Sequence, residues 1–372
     1  MMLHRHFRFA ALFSLGLLTA GGCSGGSSPA RDGGSMDQSS TESAADTTGT
    51  DTAGSDAGTD ATDDGTSDGG DGATGIEYSL LVTETPPGPY IAMNLWGGVQ
   101  RYTGAAGAPL VKAAGIDKSA VQDPESLFFR AASSEIFVGN RHGDNAADGT
   151  AGSISRFVYD RAAGTFTANG AITGNMLSIV GQMAVHPTTG ELFAADFYVT
   201  GTGPAVSRFT FDGAGVATAN GTLGTGPTQG LLIAPDGKRL YLTSGGQRSN
   251  LIHQFDLTTN TMLPDFTVSD AHSLFFMTFF NGEILVGDLD GNKVYRLTVA
   301  DTDDLTVASS FDADGPVSIA VSPDGKELFT SGHLTSDLID RFVWDATNTT
   351  WMRTEQINAT TSLGGLIIVP AH

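Results

Sequence analysis

Three polar side chains stand at the starts of apolar strands, and their types could do chemistry. They are Glu125, Gln229 and His272. A carboxylate can ligate a metal or act as a general base, an amide oxygen and an imidazole can also ligate, and histidine titrates near neutral pH. A structural role competes with each of these, because a carboxylate can instead hold a backbone amide and a loop histidine is commonly only polar surface.

Further polar residues follow apolar strands or lie in loops. We consider Glu125, His272 and His142 as candidate catalytic groups, with His333 a weaker one. The residues that end strands, where Asp and Asn commonly cap turns, are Asn140, Asp196 and Asp288. One glycine-containing loop offers oxygen ligands for a hard cation in Asp144, Asn145 and Asp148, without the full spacing of a calcium loop. Residues 76–372 contain no G-x-S-x-G, H-E-x-x-H, P-loop or C-x-x-C motif.

The elements that must position these residues repeat along the chain. A four-residue marker occurs six times. It consists of a β-branched residue, any residue, Arg or Gln, and then an aromatic residue or Leu. The copies are Val99–Tyr102, Ile154–Phe157, Val206–Phe209, Ile252–Phe255, Val294–Leu297 and Ile339–Phe342. Several short strands in each of six units of roughly 40–50 residues are typical of propeller blades. The sequence therefore predicts an all-β, six-bladed β-propeller, with the six Arg or Gln markers serving the blades.

The innermost strand of each blade can be assigned from the same repeat. Five copies are Ser126–Arg130, Gln182–His186, Leu231–Ala234, Ser273–Met277 and Ser318–Val321. The sixth is missing at the start of the domain and recurs at the C-terminus as Gly365–Pro370, so we predict that this last strand completes the first blade and closes the ring. Ser79–Glu84 is a further strand without a place in this repeat, and the outside of the last blade is one position open to it.

Blade geometry predicts where the polar residues lie. In a four-stranded antiparallel blade, the start of the inner strand and the loop between strands two and three share one end of the ring, here called the mouth end. Turns such as Pro235-Asp236-Gly237 lie at the opposite end, here called the hairpin end. Glu125, Gln229 and His272 should therefore ring the mouth of the central channel, the usual location of a binding site.

The N-terminal part of the chain reads as targeting and spacer sequence. Residues 1–23 combine basic residues with a short apolar run and end in Thr19-Ala20-Gly21-Gly22-Cys23, which resembles a bacterial lipoprotein signal. That resemblance implies acylation of Cys23, attachment to a membrane through the lipid, and, with Ser24 following, sorting to the outer membrane of the cell envelope. An ordinary signal peptide with an incidental cysteine is the alternative.

Composition separates a linker from a globular domain. Residues 24–75 are Asp, Ser, Thr, Gly and Ala with 11 acidic residues and one basic residue, which predicts a disordered tether. Residues 76–372 form the predicted propeller and carry 30 acidic and 16 basic residues. This charge argues against a nucleic-acid partner, which needs a basic surface. Cys23 is the only cysteine, so no intrachain disulfide can form.

The blade sequences resemble those of known propellers. Ala234–Ser244 and Ser322–Ser331 are similar to blades of lactonase-like and YVTN-type propellers and of the six-bladed gluconolactonase/regucalcin family. The gluconolactonase resemblance implies one divalent cation, such as Ca²⁺, Zn²⁺ or Mn²⁺, held by Glu125 and by Gln229 and His272, which replace the family's Asn and Asp. In that family the metal polarises a lactone and activates water.

Two functions follow from these observations. The favoured one is a lipid-anchored envelope or cell-surface propeller that acts as a binding module for an unknown protein, glycan or small molecule. The alternative is a metal-dependent lactone hydrolase that uses the channel mouth.

Overall fold

The computed structural model describes the chain from Glu77 onward, with gaps in several loops. The described residues are 77–85, 97–141, 152–174, 177–197, 206–224, 226–244, 249–300, 304–332, 337–359 and 362–371. They form 24 β-strands in six four-stranded antiparallel sheets, with one short 3-10 helix at Ala131–Ser133. Within these residues, no helix is long and apolar enough to cross a membrane.

The strands are numbered in chain order, and each sheet is one blade. Strands β1 to β3 are Glu77–Thr85, Val99–Ala105 and Val111–Ile116. Blade 2 contains β4 to β7: Pro124–Arg130, Glu135–Asn140, Ser153–Asp160 and Thr165–Thr173. Blade 3 contains β8 to β11: Val180–Val185, Leu192–Asp196, Val206–Phe211 and Ala217–Leu223. Blade 4 contains β12 to β15: Gly230–Ile233, Arg239–Thr243, Leu251–Asp256 and Thr261–Thr267. Blade 5 contains β16 to β19: Leu274–Phe280, Glu283–Asp288, Lys293–Val299 and Leu305–Asp312. Blade 6 contains β20 to β23: Pro316–Val321, Glu327–Gly332, Leu338–Asp345 and Thr350–Asn358. The last strand, β24, is Ser362–Pro370 and lies in blade 1 in the order β24-β1-β2-β3.

The inner strands form a closed ring. Contacts run from β4 to β8, β12, β16, β20 and β24, and β24 contacts β4 again. Strand β24 pairs with β1 in antiparallel register, with Leu80 opposite Ile368. The prediction of a six-bladed propeller closed by the C-terminal strand is therefore confirmed.

The position left open for Ser79–Glu84 is now assigned. These residues belong to β1, which pairs with β24 on one side and with β2 on the other. They form the second strand of blade 1, so a place on the outside of the last blade is wrong. Closure by the C-terminal strand supplies the inner strand of this blade, and the first strand in sequence must then take the second position.

The hydrophobic core lies between neighbouring blades. Phe137 and Ile154 of blade 2 pack with Leu192 and Phe209 of blade 3, and all four are almost fully buried. The join of the first and last blades is built in the same way, with an edge-on contact between Tyr78 and Phe329 whose ring centroids are 5.9 Å apart. Burial of such side chains contributes roughly 1.5–3 kcal/mol each, so the ring is stabilised at every blade boundary.

The Arg markers bind the blades together. In blade 2, Arg156 contacts the carboxylate of Glu135 at 2.5 Å and donates to the backbone oxygen of Gly215 in blade 3 at 2.8 Å. The marker arginines of blades 3, 5 and 6 also pair with the glutamate that begins, or directly precedes, the second strand of their own blade. Blade 4 departs from this pattern, because Gln254 replaces the arginine and Arg239 replaces the glutamate. The exchange of both partners therefore removes the arginine–glutamate ion pair from this blade.

Candidate functional site at the mouth end

Strand register places the three sequence-predicted residues at one end of the ring. In blade 2, Pro124 pairs with Asn140 at the mouth end, while Arg130 pairs with Glu135 at the hairpin end. Glu125 follows Pro124 directly. Gln229 precedes β12 in blade 4, and His272 lies two residues before β16 in blade 5.

Glu125 lies in a buried polar cluster. Its side chain is 1% exposed, and its Oε2 lies 2.5 Å from Nη2 of Arg141, which is 6% exposed. The Nε atom of Arg141 lies 3.6 Å from Oδ2 of Asp123. Gln229 donates from Nε2 to Oε1 of Glu125 at 3.3 Å. Both carboxylate oxygens of Glu125 therefore have donors in place, and we name Glu125, Arg141 and Gln229 the mouth cluster.

Gln229 carries a buried acceptor with no hydrogen bond. Its Oε1 is inaccessible to solvent and has no partner among the described residues. The amide orientation follows from Glu125, since only the NH₂ group can donate to a carboxylate. The backbone of Gln229 is fixed, because its N–H donates to Thr243 and its carbonyl accepts from the N–H of Gln182 at 2.7 Å. A buried acceptor left unpaired costs about 1–3 kcal/mol, so a donor from a ligand or from water would be favoured at this atom.

Gln182 links three inner strands below the mouth cluster. Its Nε2 donates to the carbonyl of Met277 in β16, and its Oε1 accepts from the N–H groups of Leu231 in β12 and of Met277. One side chain from blade 3 is thus tied to blades 4 and 5. These three bonds fix Gln182, and through its backbone they hold Gln229 in place.

His272 lies apart from the mouth cluster. Its side chain is 67% exposed, and its Nδ1 lies 3.7 Å from Oδ2 of Asp288. Asp288 is fully buried and accepts from the backbone N–H groups of His272 and Ser273, so it fixes the start of the inner strand. Blade 5 is opposite blade 2 in a six-bladed ring. The structure therefore brings Glu125 and Gln229 together and leaves His272 on the other side.

The other candidates make capping contacts or fall outside the described residues. Asn140 accepts from the N–H of Gln122, and Asp196 accepts from the N–H and hydroxyl of Ser178. Both side chains thereby hold the segment that leads into the inner strand of their own blade, in the capping role considered for them. The residues that lie outside the described part of the chain are His142, His333, Asp144, Asn145 and Asp148.

Arg141 is the functional residue that the sequence analysis did not weigh. It directly follows Asn140 at the end of β5. The sequence does contain a signal, because Arg141 follows β5 and β5 pairs with β4, the strand that carries Glu125. Its pairing with Glu125 depends on side-chain direction, which spacing alone does not give.

Comparison with known proteins gives structural matches only. No protein-family model and no curated protein sequence matches the chain. The periplasmic gluconolactonase of Pseudomonas aeruginosa superposes with a TM-score of 0.60 at 15% identity, over 80% of this chain and 100% of that one. A putative 6-phosphogluconolactonase from Bacteroides uniformis gives a TM-score of 0.53 at 18% identity, over 76% of this chain and 83% of that one. The chain shares the fold of these lactonase propellers.

The lactonase-type fold is not confined to lactonases. A chain in a nidogen/laminin complex matches with a TM-score of 0.55 at 14% identity, over 79% of this chain and 99% of that one. At these identities the matches describe the fold alone, and function has to be argued from the site.

The residues proposed as metal ligands do not fit a divalent cation as the structure arranges them. The guanidinium of Arg141 already contacts Glu125 where a cation would have to bind, and two positive charges on one buried carboxylate repel each other. His272 lies on the opposite side of the ring. Among the described residues, no three His, Cys, Asp or Glu side chains form a group that could hold a metal.

Proposed function

We propose that this chain is an envelope propeller that binds a small hydroxylated molecule, such as a sugar or a sugar acid, at the mouth cluster. The Oε1 of Gln229 carries this proposal, because it is a buried acceptor that no described residue satisfies and it lies beside a buried ion pair. A hydroxyl group both donates and accepts, so it can satisfy Gln229 and also accept from the Arg141 guanidinium. The enclosed position of Glu125 favours a small ligand over a protein surface.

Lactone hydrolysis is the second candidate, supported by the likeness to the two lactonase structures. In this reaction Arg141 would polarise the lactone carbonyl, and Glu125 would take a proton from the attacking water. The water oxygen would bond to the carbonyl carbon, the ring C–O bond would break, and the leaving ring oxygen would take the proton from Glu125, which gives the hydroxy acid. This route uses only residues of the mouth cluster.

Replacement of Glu125 by Gln tests the site. We expect the wild-type protein to bind at least one of glucose, gluconate and gluconolactone in titration calorimetry, and Glu125→Gln to bind it at least tenfold more weakly, because the carboxylate that holds Arg141 and Gln229 in place is lost. The matched control is Glu135→Gln, which removes the same type of buried ion pair, that with Arg156, at the hairpin end. Equal binding by both variants, or no binding by the wild type, would contradict the proposal.

The same samples separate binding from hydrolysis. Release of acid from gluconolactone, followed at constant pH, would support the second candidate if Glu125→Gln abolishes it and Glu135→Gln does not. Melting temperatures in Ca²⁺, Zn²⁺ or Mn²⁺ complete the comparison. Stabilisation by one ion in the wild type, lost in Glu125→Gln, would restore the metal-dependent mechanism.

We further propose that a lipid on Cys23 holds the protein at the outer membrane of a bacterial envelope. The support is the resemblance of residues 1–23 to a lipoprotein signal. In a bacterial host, we expect the full chain to sediment with membranes and to enter the detergent phase, and Cys23→Ala to lose both properties. Mass spectrometry of an N-terminal peptide should show an acylated Cys23, whereas an unmodified Cys23 in membrane-associated protein would refute the assignment.

A further inference from the structure

Blade 4 contains a serine, a histidine and an aspartate in a linear hydrogen-bonded array. The Oγ of Ser244 lies 3.2 Å from Nε2 of His253, and Nδ1 of His253 lies 2.9 Å from Oδ1 of Asp265. Ser244 directly follows β13, while His253 lies in β14 and Asp265 in β15. The array therefore crosses three neighbouring strands of one sheet at the mouth end.

The hydrogen bonds select the histidine tautomer that a general base requires. An ionised aspartate only accepts hydrogen bonds, so Nδ1 of the neutral His253 ring carries the proton. The lone pair of Nε2 then faces the hydroxyl of Ser244. This arrangement matches the roles in a nucleophilic triad, in which the imidazole removes the serine proton and the carboxylate stabilises the resulting imidazolium.

The outer two members of the array are exposed to solvent. The side chains of His253 and Asp265 are 27% and 38% exposed, whereas Ser244 is buried, with 9% of its surface exposed. The imidazole therefore links a buried hydroxyl to a carboxylate at the surface of the blade.

The local backbone differs from that of four of the other blades at this point. The pairing of β14 with β15 shifts register between Ile252 and Gln254, which places a β-bulge at His253. Blade 1 has the equivalent shift, between Val99 and Arg101, whereas in blades 2, 3, 5 and 6 the shift falls at or beside the marker arginine. Bulges re-aim side chains and are common beside active sites. Blade 4 is also the blade that has exchanged both partners of the marker ion pair.

Other blades also have a pair of hydrogen-bonded polar side chains near the mouth end. The residue types in blade 4 are what differ. Asn140 bonds to Ser155 in blade 2, and Asp340 bonds to Gln356 in blade 6. Those pairs offer no imidazole and no nucleophile beside one. Blade 4 is distinguished by a hydroxyl, an imidazole and a carboxylate in series.

We propose that Ser244, His253 and Asp265 form a serine-nucleophile site for acyl transfer from small esters. Ser244 Oγ bonds to the ester carbonyl carbon as its proton passes to His253 Nε2. The carbon–alkoxy bond then breaks, and the alcohol leaves with the proton from His253. Water, deprotonated by His253, attacks the acyl-serine, releases the carboxylic acid and regenerates the hydroxyl of Ser244.

This site is distinct from the mouth cluster, although it begins close by. The N–H of Gln229 donates to the carbonyl of Thr243, the residue before Ser244. The array then runs outward through the blade, away from Glu125. The proposal does not depend on ligand binding at the mouth cluster.

A fluorophosphonate probe, which phosphorylates activated serines, tests the proposal directly. With the full chain, we expect peptide mass spectrometry to find the probe on Ser244. The Ser244→Ala variant should not be labelled at all. The wild-type protein should also hydrolyse p-nitrophenyl acetate, and Ser244→Ala should abolish this activity. We expect His253→Gln and Asp265→Asn to slow labelling at least tenfold while their melting temperatures stay within a few degrees of the wild type. Ser309→Ala, which removes an outer-strand serine bonded to Arg296, is the matched control and should label normally.

The remaining outcomes are also decisive. If the probe labels Ser244 of the Glu125→Gln variant at the wild-type rate, the serine site is separate from the mouth cluster. Wild-type protein that labels no faster than Ser244→Ala would overturn the proposal, as would labelling of Ser244 that His253→Gln leaves unchanged. In either case the array would be a cross-strand polar contact only.

Discussion

Truncation after Asn358 is expected to abolish cooperative folding, because it removes β24. This strand pairs with β1 and contacts the inner strands β4 and β20. Its loss exposes the edge of β1, removes the buried side chains of Leu366 and Val369, and opens the ring. The total stability of a domain is only about 5–15 kcal/mol, which the loss of a whole inner strand can exceed.

Circular dichroism during heating or urea titration would measure this effect. The control is removal of Ala371 and His372 alone, which spares every β24 pairing and deletes one described backbone bond, from Ala371 to Glu77. Addition of a synthetic peptide spanning residues 362–371 should partly restore the transition. A truncated chain that melts like the control would show that closure by β24 is dispensable.

Replacement of Arg341 by Ala is expected to lower the free energy of unfolding by about 3–5 kcal/mol, because it leaves a buried carboxylate without its counter-charge. Arg341 pairs with Glu327, and both side chains are almost fully buried. It also donates to the carbonyl of Ala108 across the join between blades 6 and 1. Tyr78 donates to the same carboxylate at 2.7 Å. One arginine therefore supports the boundary at which the ring closes.

The surroundings of Tyr78 and Arg341 determine the pKa values of both side chains. Burial and the neighbouring Glu327 raise the pKa of Tyr78 above its usual value, so the phenol stays a donor. Burial alone would lower the pKa of Arg341, but its hydrogen bonds to Glu327 and Glu355 outweigh that effect and raise it. Arg341 therefore stays charged, and its charge is available to Glu327.

Urea denaturation of Arg341→Ala and of a surface control would measure the difference. The control is Lys238→Ala, which breaks a pair with Asp236 between side chains 66% and 51% exposed. Such a pair contributes about 0–1 kcal/mol. The double variant Glu327→Gln with Arg341→Met should be more stable than Arg341→Ala, because no charge is left buried. Equal losses for Arg341→Ala and Lys238→Ala would contradict this account of the blade boundary.

The fold could be predicted from the sequence because its determinants are local and repeated. Alternating apolar residues, Asn-Gly and Asp-Gly turns and the six Arg or Gln markers each report on neighbouring strands. The closing strand was recognisable for the same reason, since Gly365–Pro370 repeats the pattern of Gly230–Pro235. Strand β1 could not be placed, because its position depends on a partner almost 300 residues away in sequence.

The site was less predictable, because it depends on contacts across the ring. Topology gave the correct end for Glu125, Gln229 and His272, but side-chain direction decides which of them meet. Glu125 and Gln229 are joined over 104 residues of sequence, whereas His272 belongs to the opposite blade. The partnership of Ser244 with His253 and Asp265 was also missed, since the bulge that aims the histidine appears only in the paired strands.

The two ends of the described domain leave it side by side. The N–H of Ala371 donates to the carbonyl of Glu77, at the hairpin end and so opposite Glu125 and Ser244. A fusion partner, a fluorophore or a bead linked at Glu77 or at Ala371 would therefore lie at the end of the ring opposite both proposed sites. A domain that begins at Glu77 could also be circularly permuted with a short linker from Ala371 to Glu77, and new ends opened in a hairpin turn such as that at Asn281-Gly282 would preserve all six sheets.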